Sequence, residues 1–325
     1  MTEYLDLSQT AQRLEEMDDL LILCHKNPDG DTLGSGAALY WALKAKEKQV
    51  AVLCHDPIPP MYDYLGIEIF EGQFKPAHVV AVDVAGIQLF GDSLQQYLDD
   101  IELCIDHHAS NSGYAFSTLL DADAAAAAEI MYDLINQMGV NITPQIADRL
   151  YTGLSTDTGC FRFANTTART HITAAWLMEA GARVEDLNGL LFESKKPARM
   201  EAERLALNNL EYYFEGRCAL IYLTREEIVA SGVAPSDLED LTSLPRTIEG
   251  VDVGLTLRQQ PGGSYKISVR TTKHLDASAI AKRLGGGGHV RAAGCELMGN
   301  LDNAKAAILA EVEKELIRCE QSQKE

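Results

Sequence analysis

Six side chains in this sequence could hold metal ions together: His25, Asp29, Asp31, Asp83, His107 and Asp157. Each sits where an apolar run ends. LLILC is followed by His25-Lys26-Asn27-Pro28-Asp29-Gly30-Asp31, VVAV by Asp83, and LCI by Asp106-His107-His108. The helix-like ADRLYTGL leads into Ser155-Thr156-Asp157. Carboxylates gathered this closely repel one another unless cations lie between them. A mixed carboxylate and imidazole set without thiolate favours manganese or magnesium over structural zinc, although affinity order alone excludes neither zinc nor cobalt. Two such ions ~3.5–4 Å apart would clamp both oxygens of an in-line displacement at phosphorus. Taken singly, each group has a bland reading. Asp-Gly-Asp is usually a turn, a lone Asp after a strand is often a helix cap, and adjacent histidines are usually incidental. Four such groups in one chain point jointly to a two-metal site.

A second constellation is GGGGHVRAAG at 285–294. Gly285 to Gly288 strip one loop of side chains, so backbone N–H groups can approach a phosphate or carboxylate. His289, Arg291 and the strand residue Arg270 supply donors nearby. Gly286, Gly287, Gly288, His289, Arg291 and Arg270 are therefore candidate substrate contacts. Arg162, in GCFRF just after Asp157, is a weaker one. The plainer alternatives are a flexible connector for the glycines and a surface arginine for Arg162.

The elements that must position these residues follow from hydrophobic pattern. LLILC (20–24), VAVLC (50–54), HVVAVDV (78–84) and IELCI (101–105) are strand-sized and apolar on both faces, which suits a parallel sheet covered by helices. Helix-like stretches at 33–47 and 86–98 lie between them. The pattern is α/β, a doubly wound and mostly parallel sheet, where ligands sit beyond the carboxyl ends of strands. A mostly helical region covers 124–192, with Asp121 and Asp123 as the expected cap for the alanine run at 124–128. Residues 193–215 read as a charged connecting helix. A second, smaller α/β domain follows at 216–325, with strands either side of the turn PGG at 261–263, a helix at 277–284 and a final helix at 301–319. The catalytic domain is then 1–192, and the expected active site is the cleft between the two domains.

Composition narrows the function further. The 325 residues carry a formal charge of −20, which argues against wrapping a long duplex. Residues 251–291 reverse that bias, with Arg258, Lys266, Arg270, Lys273, Lys282, Arg283 and Arg291 against only Asp252 and Asp276. A local anion site in an acidic protein suits a small phosphorylated substrate. The seven cysteines are scattered with no CxxC pair, as reduced structural thiols would be. No apolar run reaches the ~18 residues of a membrane span, and the acidic start lacks the features of a signal peptide. The expected setting is the cytoplasm, without membrane partners, and a homodimer is left open.

HKNPDGDTLGS, AVDV, IDHHASN and STDTG resemble, in order, the four motifs of the DHH phosphoesterases, and GGGGHVRAAG resembles the nucleotide-binding motif of the domain that often accompanies them. The resemblance covers nearly the whole chain. It implies one metal on His25, Asp29 and Asp83 and another on Asp31, Asp83, His107 and Asp157, with Asp83 bridging and catalytic. His108 would face the scissile phosphate as the second catalytic residue. It also implies two Mn²⁺ ions, with Mg²⁺ or Co²⁺ as substitutes. The chain looks most like the bacterial group that hydrolyses short single-stranded RNA and 3′-phosphoadenosine 5′-phosphate. A cyclic or linear dinucleotide phosphodiesterase, a manganese pyrophosphatase and a non-catalytic nucleotide-binding regulator are the alternatives.

Overall fold

The computed structural model describes residues 2–234, 238, 240–272 and 274–322, so Lys273 of the basic cluster lies outside the described residues. The chain divides into two compact units, Met1–Ser194 and Lys195–Glu325.

The first unit is built on a six-stranded sheet in which every pairing is parallel. Its strands are β1 (Glu3–Tyr4), β2 (Leu20–Leu23), β3 (Val50–Leu53), β4 (His78–Val82), β5 (Ile101–Asp106) and β6 (Ser117–Leu120), in spatial order β1-β6-β5-β4-β2-β3. Continuous apolar runs became strands because both faces are covered. One face packs Leu20, Ile22, Val80 and Leu103 under a helical layer. That layer comprises α1 (Leu7–Glu16), α2 (Gly30–Ala45), α3 (Ala127–Gln137), α4 (Pro144–Asp157), α5 (Ala168–Glu179) and α6 (Val184–Asn188). The other face packs Leu21, Leu23, Val79 and Ala81 against Phe90, Leu94 and Leu98. The helix expected at 86–98 is here two 3₁₀ segments, Ile87–Leu89 and Asp92–Asp100. Gly91 separates them at φ 82°, a left-handed conformation that interrupts an α-helix.

Helix α2 is buried on nearly all sides because α4 crosses it closely. Three glycines permit the crossing. A Cβ on Gly30 would lie 2.4 Å from Thr156 Oγ1, one on Gly34 2.5 Å from the Arg149 carbonyl, and one on Gly153 2.5 Å from Asp31 Oδ1. The crossing brings the start of α2, with Asp31, to the end of α4, with Asp157.

The second unit carries α7 (Pro197–Asn208), β7 (Glu211–Tyr213), β8 (Cys218–Leu223), α8 (Arg225–Ser231), β9 (Val253–Gln259), β10 (Tyr265–Thr271), α9 (Ala277–Lys282), β11 (Gly287–Gly288), β12 (Ala292–Leu297) and α10 (Leu301–Ser322). Its sheet runs β11-β12-β10-β9-β8-β7, with only β8 and β9 parallel. Strands β9 and β10 form the hairpin around PGG, closed by a Gln260 N–H to Ser264 carbonyl bond of 2.8 Å. Helix α7, within the stretch expected to connect the halves, buries Ala202 and Ala206 against Ile221 and Leu223 of β8. Among the described residues, no helix is long and apolar enough to cross a membrane. All seven cysteines are free thiols.

Candidate metal centre

The carboxyl ends of β2, β4 and β5 adjoin in the sheet, and each delivers part of the site. Beyond β2, His25 places Nδ1 2.8 Å from the Lys26 carbonyl, which turns Nε2 toward Asp29 Oδ1 (3.5 Å) and Asp83 Oδ2 (4.0 Å). Asp29 is the N-cap of α2, and its Oδ1 accepts from the N–H groups of Asp31 (3.0 Å) and Thr32 (3.2 Å). That cap fixes the side chain at the helix start, so the bland reading of Asp29 and the functional one coexist. Beyond β4, Asp83 adopts φ 59°, a region Asp tolerates better than most residues, and its N–H donates to the Ile105 carbonyl at 2.9 Å. Beyond β5, His107 places Nδ1 3.2 Å from the Ala124 carbonyl. With Nδ1–H donating there, Nε2 keeps its lone pair for a ligand bond. Nε2 lies 3.5 Å from Asp83 Oδ1, 3.6 Å from Asp157 Oδ2 and 3.9 Å from Asp31 Oδ2.

Three overlapping groups result: His25, Asp29 and Asp83; Asp31, His107 and Asp157; and Asp83, His107 and His108, each with ligand atoms within 4.8 Å of one another. Asp83 belongs to two of them. The chemistry of these donors fits divalent cations, and two orphaned atoms support the fit. Asp83 Oδ1 and His107 Nε2 are buried without a hydrogen-bond partner, an arrangement that costs stability unless something else satisfies them. The electrostatics agree. Burial, followed by the charge of Asp157, pushes the Asp31 carboxyl up to about 7. Burial and the facing carboxylates of Asp31 and Asp29 hold Asp83 well above the usual carboxylate range. Burial opposes a charged His25, but the hydrogen bond and charge of Asp29 prevail and push the imidazole up to about 9. Negative groups that resist ionising together are what a pair of cations would stabilise.

Two residues that hold the candidate side chains in place were not singled out by the sequence. Asp106, fully buried, accepts from the N–H of His107 (2.9 Å), from His108 Nδ1 (2.8 Å) and from Asn111 Nδ2 (2.6 Å). It sets the tautomer of His108 and turns Nε2 outward. Ser35, four residues after Asp31 on α2, donates to Asp31 Oδ1 at 3.0 Å, a helical spacing that was readable. The expected cap for the alanine run needs correction. Neither Asp121 nor Asp123 caps α3; instead Asp31 accepts from Ala127 N–H (2.6 Å) and Ala128 N–H (3.0 Å). Asp31 prevails because the α2–α4 crossing delivers a buried carboxylate to the helix start.

The candidate substrate contacts lie elsewhere in the chain. Arg162 occupies an exposed turn after α4, not a strand, and its Nε donates to the Gly159 carbonyl at 2.6 Å. In the second unit, Arg270 on β10 donates to Thr242 Oγ1 at 3.0 Å. The glycine run, read as a loop, is in part the edge strand β11, with Gly287 opposite Gly294 and Gly288 opposite Ala293. The run is needed for close approach to β12. A Cβ on Gly286 would lie 2.1 Å from the Gly294 carbonyl, and one on Gly288 2.6 Å from the Ala292 carbonyl, whereas Gly287 faces open space. His289 is exposed at the hairpin tip. Arg291 Nη1 donates to the carbonyls of Thr272 and Leu275, the latter at 2.8 Å, bracing the loop before α9.

Comparison with known proteins gives the chain's family and fold. Residues 19–154 match the DHH family, N-terminal domain, and residues 220–317 match the DHHA1 domain. The chain is 32% identical over 318 residues to the bifunctional oligoribonuclease and PAP phosphatase NrnA of Thermus thermophilus, covering 92% of this chain and 90% of that protein. In fold it is similar to an exopolyphosphatase-related protein from Bacteroides fragilis, with a TM-score of 0.85, 23% identity and 97% of each chain covered. It is also similar to RecJ of Thermus thermophilus in complex with Mn²⁺, with a TM-score of 0.53, 17% identity, and coverage of 96% of this chain and 55% of that one. The chain therefore belongs to the DHH phosphoesterase family, with a DHH domain followed by a DHHA1 domain.

Proposed function

We propose that this chain is a two-metal hydrolase of short oligoribonucleotides and of the 3′-phosphate of 3′-phosphoadenosine 5′-phosphate, with manganese as the preferred ion. The observation that carries the reading is the three overlapping ligand groups, linked through Asp83 and His107, with Asp83 Oδ1 and His107 Nε2 buried and unpartnered. His25, Asp29 and Asp83 would hold one cation, and Asp31, Asp83, His107 and Asp157 the other. Bound there, the cations polarise the phosphoryl oxygens and activate water for in-line attack. The chain's own groups do the rest. Asp106 engages His108 Nδ1, so Nε2 is the atom offered to a phosphoryl oxygen. Asp83 ties the two ligand sets together. The backbone of Gly286 to Gly288, with His289, Arg270 and Arg291, receives the nucleotide part of the substrate, and Arg162 a phosphate. Two facts favour short substrates over duplex DNA: a formal charge of −20 and a basic cluster confined to 251–291. The relative's printed activities, oligoribonuclease and PAP phosphatase, support the same pair of substrates.

The test is release of phosphate and of mononucleotide from a panel holding 3′-phosphoadenosine 5′-phosphate, linear and cyclic dinucleotides, oligoribonucleotides and pyrophosphate. Manganese-dependent turnover of the first and of short RNA is expected, abolished by exhaustive chelation and restored by manganese. Undiminished turnover after chelation would refute the two-metal reading. A rate highest on a cyclic dinucleotide would replace the substrate.

A further inference from the structure

Next to His25 and Asp29 along the sheet edge, β3 ends in a segment that carries no metal ligand. A cavity of about 530 Å³ opens there, lined by Cys54, Asp56, Ile58, Asp63, Ile67 and Ile69 among others. This volume is in the range that holds a small organic ligand. Three observations make it part of the machinery. First, Asp56 Oδ2 accepts from the Asn27 N–H at 2.7 Å, so the cavity wall grips the loop between His25 and Asp29 at a residue with φ 50°. Second, the segment Pro60–Leu65, which carries the lining residues Tyr62 and Asp63, packs on α2, the helix that Asp29 caps. Third, the wall is braced from behind. Trp41 Nε1 donates to the Leu65 carbonyl at 3.0 Å, and buried Arg149 donates to the same carbonyl through Nη2 at 2.8 Å. The cavity is therefore fixed relative to the ligands.

Its chemistry selects an occupant. Aliphatic side chains offer flat apolar contact, while Asp56 and Asp63 repel a phosphate and accept hydrogen bonds from ring or amino N–H groups. A neutral heteroaromatic ring with N–H donors matches both demands. We propose that this cavity receives the nucleobase of the nucleoside that stays esterified to the attacked phosphorus after the other one leaves. The assignment rests on the oligonucleotide reading above. A dinucleotide has such a nucleoside; in 3′-phosphoadenosine 5′-phosphate the attacked phosphorus carries no second ester, so water displaces the nucleoside 3′-oxygen and only inorganic phosphate remains. The cavity thus serves one substrate class and is dispensable for the other.

Filling it with Ile58→Trp or Ile69→Trp provides the test, with thermal unfolding and bound manganese per chain measured alongside. Each variant is expected to lose tenfold or more in kcat/KM on a 5′-phosphorylated dinucleotide, mainly through KM. It should keep the rate on 3′-phosphoadenosine 5′-phosphate within about twofold. Equal losses on both substrates, or no loss on either, overturn the proposal. A wild-type protein inactive on dinucleotides would instead sink the function itself. A second measurement needs no variant. Cys54 lines the cavity, so its alkylation by a maleimide, mapped by peptide mass, should be slowed by a phosphorothioate-linked dinucleotide. 3′-Phosphoadenosine 5′-phosphate should not slow it, and equal protection by the two overturns the assignment.

Discussion

The metal centre and the glycine hairpin solve opposite problems. The first gathers candidate ligands from residue 25 to residue 157, and its order comes from long-range locks: Asp31 on the start of α3 and the α2–α4 crossing through Gly34 and Gly153. The second is contiguous. Its order comes from the absence of side chains, because β11 can lie against β12 only where Gly286 and Gly288 leave room. Dispersed ligands need a rigid frame that survives their mutual repulsion. A contiguous backbone surface needs only a close partner strand. Damage to the first should therefore register as lost chemistry, and damage to the second as lost local packing.

The largest effect that could break this contrast is at Asp83. Asp83→Asn keeps the side-chain shape and the left-handed backbone but removes the charge shared by two of the ligand groups. Turnover should fall by about 10³ or more, roughly 4 kcal/mol of barrier, while Arg162→Ala, on an exposed turn, should cost far less. Steady-state kcat with saturating manganese decides it, and retention of more than a few per cent by Asp83→Asn contradicts a bridging role. Next is Gly153→Ala. The new methyl would meet Asp31 Oδ1 at 2.5 Å and Ala128 Cβ at 2.9 Å. Overpacking of this kind costs about 1–3 kcal/mol, and here it should also weaken manganese binding, read by thermal unfolding and metal titration. A stability loss without any change in affinity would mean that the crossing does not position Asp31.

A similar but smaller loss is expected from Gly286→Ala, whereas Gly287→Ala should leave unfolding unchanged, since nothing lies within 4 Å of its added Cβ. Equal destabilisation by the two would remove the steric account of the hairpin. The smallest expected effect is a pH dependence confined to the metal-free protein. Asp31 releases its proton at about 7 when folded, against 3.8 as its ordinary value. Between those values the folded chain binds more protons than the unfolded one, so this group's contribution is fully present at low pH and is lost as pH rises through about 7. With manganese chelated, Tm should drop by at least about 4 °C from pH 5 to pH 8, the shift that about 1–2 kcal/mol produces in a domain of this size. Saturating manganese should flatten the profile. A metal-free profile that rises over the same interval would contradict the electrostatic account.

The site was legible to the extent that its chemistry coincides with element ends. His25 and Asp83 directly follow buried runs and His107 lies one residue beyond the next, so period and polarity reveal them together. What stayed hidden depends on tertiary crossing or on backbone detail. Asp31 caps a helix that begins 96 positions later, as far as the Ala127 bond spans, and no local pattern announces that. Asp121 and Asp123 made a better cap by proximity and lost to geometry. At 86–98 the amphipathic pattern was present, but Gly91 divides the stretch. Glycine 286–288 read as bare backbone for a ligand; the pairing with β12 was invisible because strands of two residues carry no period. Arg291 was chosen for its charge, and it spends Nη1 on Thr272 and Leu275.

The bond from Asp31 to α3 has a consequence for hydrogen exchange. Amides in the first turn of a helix have no intrahelical acceptor and normally trade protons with water quickly. Here the amides of Ala127 and Ala128 are capped by a carboxylate that is also a candidate metal ligand. Their protection factors should then follow the occupancy of the site, since any shift of Asp31 toward a cation stretches or tightens those two bonds. Two backbone protons, read by isotope exchange without substrate or turnover, become a gauge of whether the ligand set is loaded.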